Sequence, residues 1–186
     1  MSRSRRDYPR YLGSLGLLEG ADDWVLLARS HGRREGDRIR VYAEPAVSGS
    51  GRTTATFFAH GVGRRLRDDA RVEPILLDLS PGRRLQLAEE PDDTDGSDGL
   101  LIGTGNGARL GYVPAVLLDY VSALRAHGEP GLLVERVNGR DEPPGYRLLV
   151  TLSGRVHPGY QPFAGEKWAL HEVAGAGAAT SASGRR

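Results

Sequence analysis

The run from Pro81 to Val113, PGRRLQLAEEPDDTDGSDGLLIGTGNGARLGYV, limits this chain more than any other stretch, because it packs strand, loop, hairpin and strand signals into one short span closed by Pro114. Leu85 and Leu87 alternate with Arg84, Gln86 and Ala88, the period-two pattern of a strand with one apolar face and one solvated face. Leu100 to Ile102 reads as a second short strand, and Leu110, Tyr112 and Val113 as a third. Between them Asn106-Gly107 offers a positive-φ pair suited to a tight hairpin. Pro114 has no N–H to continue a ladder, and its fixed φ suits the first turn of a helix. Val116, Leu117, Tyr120, Val121 and Leu124 then recur at helical spacing and form one apolar face. The prediction is a small, mainly β domain with accessory helices.

The flanking segments extend this pattern. Thr54 to Val62 reads as a strand in which adjacent Phe57 and Phe58 point to opposite sides, one into the core and one over an edge. Asp68 to Leu77 reads as a helix interrupted by Pro74. Gly131 to Val137 and Tyr146 to Leu152 read as two further strands joined by the loop from Asn138 to Pro144. Ahead of these, Asp7 to Leu18 and a second helix capped by Asp22 form short helical pieces. Arg38 to Tyr42 reads as a strand, and Glu44 to Thr53 as a polar glycine-rich loop. The expected division is a helical extension over 1–50, a β-domain over 54–155, an extended segment over 156–173 and a disordered tail over 174–186.

Composition narrows the chemistry. The chain of 186 residues has no cysteine, which removes disulfides, thiolate nucleophiles and cysteine-ligated metal sites. No stretch reaches the apolar length of a membrane span and no signal peptide opens the chain, so a cytoplasmic protein is expected. Net charge is +1, yet its distribution is uneven: Arg3, Arg5, Arg6 and Arg10 crowd the amino terminus, and six carboxylates lie between Glu89 and Asp98. Gly103 to Gly107 resembles a phosphate loop but lacks the following Gly-Lys-Ser/Thr, so a hairpin turn accounts for it. Asp93, Asp95 and Asp98 have the spacing of a calcium loop's opening, but Thr104 stands where its closing glutamate is needed. The five histidines are scattered and no serine sits in a nucleophile elbow, so no cofactor or metal is expected.

For nucleic acid, Arg64, Arg65, Arg67, Arg83, Arg84 and Arg109 are candidate phosphate contacts, with Tyr112 and Phe58 as stacking surfaces. A solvated arginine face and a core-packed Tyr112 are the plainer alternatives. The two sets of readings separate on whether these arginines share a face with Tyr112 and on where the acidic loop points.

FFAHGV, PGRRLQLAEEPDD, LLI, GARLGYVP and VERVNGRDEP running into YRLLVTL occur in an order that resembles the HIRAN domain over Thr54 to Val150. That resemblance implies a compact OB/SH3-like β-barrel that grips the 3′ end of single-stranded DNA. Family descriptions add zinc binding and acid-anhydride hydrolysis; the latter belongs to an attached helicase motor that this sequence lacks. Carried over by position, the family's Arg-aromatic pair falls on Arg64 and Arg65, keeping the arginine and losing the aromatic. Its stacking loop falls on Asp93 to Leu100, with Asp95 in the aromatic position, while Gly111 and Tyr112 are kept. The first 45 residues are similar to a segment that precedes HIRAN in bacterial homologues and to the amino-terminal part of HipA-like kinases, which makes Met1 read as an internal start. The expected function is a DNA-binding accessory module with Arg64, Arg65, Arg83, Arg84, Arg109 and Tyr112 as its site. A protein-interaction or structural module on the same fold is the alternative, and an enzyme the least expected.

Overall fold

Alternation along Arg52–Phe58 (β2) sends Thr53, Ala55 and Phe57 to one side and Thr54, Thr56 and Phe58 to the other, and both sides of the strand's end are buried. Phe57 enters the main core, while Phe58 lies in a second cluster with Leu15 and Leu149. The computed structural model describes residues 6–30, 41–89 and 99–168. The acidic loop between Glu89 and Asp98, apart from Glu89 itself, lies outside the described residues, as do most of the expected Arg38 to Tyr42 strand and the expected tail.

The other strands are Ala46–Val47 (β1), Arg84–Glu89 (β3), Leu100–Gly103 (β4), Arg109–Tyr112 (β5), Gly131–Val137 (β6) and Leu148–Arg155 (β7). They form one seven-stranded antiparallel sheet in the order β1-β2-β7-β6-β3-β4-β5. The expected OB/SH3-like barrel is therefore corrected: the sheet is open, and β1 and β5 do not pair with each other. Among the described residues the segment after β2 meets β5 only at an isolated antiparallel bridge, where His60 and Tyr112 exchange hydrogen bonds of 2.9 and 2.8 Å. One residue pair beyond β2 is not a ladder. The expectation of a mainly β domain is corrected as well, to a mixed α/β fold, because helices supply much of the core.

Those helices are Tyr8–Ser14 (α1), Asp23–Arg29 (α2), Val62–Asp68 (α3), Val72–Asp78 (α4) and Leu118–Arg125 (α5). The sequence pattern places one helix over Asp68 to Leu77; the chain instead forms two, because the chain turns extended at Asp69. Pro74 is accommodated in the first turn of α4, where its missing N–H costs no intrahelical bond. After Pro114 a 3-10 turn that buries Leu117 leads into α5, which buries Tyr120, Val121 and Leu124 as the periodicity predicts. Tyr120 reaches Thr53 in β2 through a buried hydroxyl pair at 3.0 Å, and burial raises the phenol's pKa above its ordinary value.

Two turns differ from expectation for a local reason. Among Gly105, Asn106 and Gly107 only Gly107 has positive φ, at 84°, and Thr104 N donates to Ala108 O at 3.0 Å. This is a three-residue hairpin loop ending in a left-handed glycine, not a two-residue Asn-Gly turn. The predicted loop over Glu44 to Thr53 contains the β1–β2 hairpin, tied by Gly51 at φ 77°. A Cβ at Gly51 would stand 2.2 Å from Val156 O, so Gly51→Ala is expected to cost more than about 1 kcal/mol in urea unfolding.

The amino-terminal helices are docked on the sheet's outer face. Leu15 joins Phe58 and Leu149, with Tyr11, Leu17, Leu26 and Tyr146 around them. Asn138 Nδ2 donates to Ser14 O at 2.7 Å and to Tyr146 O at 2.6 Å, and Tyr146 Oη donates to Ser30 O at 3.0 Å. Asp22 caps α2 through Trp24 N at 2.8 Å.

Candidate nucleic-acid interface

The reversal from β2 into α3 brings an arginine over a tyrosine. Gly61 takes φ 71°, and a Cβ there would lie 2.9 Å from Tyr112 Cδ2, so this position admits the ring only because it has no side chain. One turn into α3, the Arg65 guanidinium carbon lies 4.8 Å from the centroid of the Tyr112 ring, and its Nη2 donates to Tyr112 Oη. Tyr112 is half-buried on the outer face of β5, in register with Leu101 and Ala88. It does not pack inward against α5. Behind it, His60 closes the backbone bridge, and Tyr42 Oη lies 3.3 Å from His60 Nε2.

Beside this pair α3, α4 and the β4–β5 hairpin enclose a cleft of about 310 Å³. Arg65, Arg71 and Arg109 line it together with Asp68, Asp69 and the Asn106-Gly107 backbone, while Val72 and Ile75 supply an apolar wall. Both aspartates are engaged by arginines: Asp68 by Arg64 at 3.7 Å and Asp69 by Arg71 at 2.9 Å. The Arg71 hydrogen bonds hold the Asp69 carboxyl below its ordinary pKa, which keeps it ionised and makes it a weaker base. The arrangement can hold a planar or anionic group, and its lining offers no nucleophile with an adjacent base.

Of the six predicted site residues, the structure gathers Arg65, Arg109 and Tyr112. Arg64 is next to them but turned to Asp68. Arg83 and Arg84 do not line the cleft. Arg84 stands on the solvent face of β3, the face it shares with Gln86, whose cross-strand row continues through Gly103 to Arg109. Phe58, offered as a stacking surface, is 1% exposed beneath the amino-terminal helices and is unavailable to a base. Arg71, Asp68 and Asp69 had no sequence signal, since nothing in their spacing separates a cleft wall from any solvated helix end.

Fold and site define an open antiparallel α/β domain with an arginine-tyrosine cleft at the junction of its two sheet halves. No protein-family model, no curated protein and no solved structure matches the chain. Among the described residues no helix is long and apolar enough to cross a membrane, and no three His, Asp or Glu side chains come together as a metal site.

Proposed function

We propose that this chain is a nucleic-acid-binding accessory module that takes single-stranded DNA, or a DNA end, at the Arg65–Tyr112–Arg109 cleft. The observation that carries the reading is that Arg65 lies over Tyr112 and also lines, with Arg109, the adjoining cleft beside the exposed glycine backbone of the hairpin. Arginines fit phosphate oxygens bidentately, and an arginine already stacked on an aromatic ring presents a flat platform for a base. The sequence marks similar to HIRAN domains favour the same ligand, on a sheet that is open where that resemblance implied a barrel. The proposal includes a cytoplasmic location and no catalytic step.

The test is a fluorescence-anisotropy titration of labelled single strands with free and blocked 3′ ends at about 50 and 200 mM salt, conditions between which phosphate contacts lose much of their strength. Arg65→Gln and Arg109→Gln should each weaken binding by about tenfold and flatten the salt dependence by about one phosphate contact. Lack of binding by the unsubstituted chain at the lower salt would sink the reading. Preference for a free over a blocked 3′ end would favour end capture over binding along the strand.

A further inference from the structure

Arg52 opens β2 and Arg155 closes β7, and the antiparallel register sets them directly opposite each other. Directly opposed residues share a face with their Cβ atoms about 5 Å apart, and like charges at such a pair repel. Several other described arginines sit against carboxylates: Arg10, Arg71, Arg125, Arg140 and Arg147 each lie within 3.6 Å of one. Among the described residues neither the Arg52 nor the Arg155 guanidinium makes a hydrogen bond or an ion pair.

These two side chains line a cleft of about 780 Å³, more than twice the volume of the Arg65 cleft and formed by other elements. Its walls are β1, the ends of β2 and β7, and the 127–129 loop after α5. Ser48, Ser153 and His127 add hydrogen-bonding groups. His127 Nδ1 lies 3.2 Å from Ala123 O, and because a carbonyl only accepts, Nδ1 carries the hydrogen and Nε2 is left for a ligand. Glu129 also lines the cleft, exposed and without a partner among the described residues.

We propose that this cleft is a second, separate binding site for a phosphorylated small molecule. The Arg52–Arg155 pair holds the phosphate, and Glu129 accepts a hydrogen bond from a hydroxyl or amino group of the same ligand. A dianion between the two guanidiniums replaces their mutual repulsion with two charge-assisted contacts. The single carboxylate explains why the site suits a ligand that carries a hydrogen-bond donor besides its phosphate over a bare anion.

Calorimetric titration of the full chain with pyrophosphate, at constant ionic strength, reads the phosphate end of the site. Saturable binding is expected, weakened about tenfold or more in Arg52→Gln/Arg155→Gln. Glu129→Gln, which removes the opposing charge and keeps an acceptor, should tighten it several-fold. Arg65→Gln/Arg109→Gln should leave it unchanged, which separates this site from the nucleic-acid cleft. In low salt without ligand, Arg155→Gln should raise the unfolding midpoint, because the opposed charges are relieved. The inference is overturned if pyrophosphate does not bind saturably, if the double arginine variant binds it as well as the unsubstituted chain, or if Arg155→Gln lowers the midpoint and so marks the pair as structural.

Discussion

Phe58→Ala should lower the unfolding free energy by about 3–5 kcal/mol, the largest loss expected from any single truncation on the outer face of the sheet. Phe58 is 1% exposed, and its ring lies 5.1 Å from that of Tyr146 at a tilt of 60°, next to fully buried Leu15 and Leu149. Truncation opens a cavity that neither the sheet nor the docked helices can collapse into, since Leu149 is held in register opposite Phe58. Urea unfolding reads the loss. A cycle with Leu15→Ala should show a coupling of about 0.5–3 kcal/mol, as expected for residues in contact. A loss below about 1 kcal/mol would mean that the amino-terminal helices do not pack on the sheet as described.

Glu73→Ala is expected to cost about 2–3 kcal/mol, because it strands a buried cation. Arg147 is 4% exposed; its Nη2 donates to Glu73 Oε1 at 2.8 Å and its Nε donates to Asn138 O at 2.9 Å. Arg140 Nε adds a second contact to the same carboxylate at 3.0 Å. Glu73 is one-fifth exposed, so the loss is smaller than for a fully buried pair. The hydrogen bond from Arg147, helped by Arg140 and opposed by burial, holds the Glu73 carboxyl below its ordinary pKa. A depressed folded-state pKa means the unfolded chain takes up the proton first as pH falls. The contribution is therefore complete above the unfolded value, about 4.3 for glutamate, and disappears as pH falls through the folded value. Glu73→Gln keeps the shape and removes the titration, so its stability should fall less steeply than that of the unsubstituted chain on acidification below about pH 5. Parallel pH dependences for the two would exclude this linkage.

The two predictions differ in what the sequence could anticipate. Adjacent Phe57 and Phe58 in a strand must face opposite ways, so one of them needed a second layer to cover it. That the layer is α1 with Leu15, and not a ligand or an edge, depends on contacts across most of the chain. Glu73 and Arg147 are 74 residues apart, and nothing around either residue marks it as paired. The same limit explains the barrel. Strands β2 to β7 were readable in outline from their residue patterns, while β1 fell in an expected loop, and closure depends on pairing between strands far apart in the chain. Here, among the described residues, a single His60–Tyr112 bridge links the segment after β2 to β5.

The candidate site divides along the same line. Arg65, Arg109 and Tyr112 were visible as residue types near glycine turns, while their convergence depends on α3 starting at Val62 directly after the Gly61 reversal. Arg83 and Arg84 looked equivalent to them and do not line the cleft; Arg84 shares the sheet face of Tyr112 and Arg109 but stands two strands away, on β3.

Local chemistry in the sequence thus determined the strands from Leu85 to Val113, the break at Pro114, the apolar face of α5 and the absence of cysteine chemistry, because period and backbone freedom act over a few residues. Tertiary structure alone decided the sheet order, its open edge, the Arg65–Tyr112 stack, the buried Glu73–Arg147 pair and the opposed Arg52 and Arg155. Each of these rests on pairing between distant segments, and the free energy that selects one pairing over another is spread over the whole core and is not written at either partner.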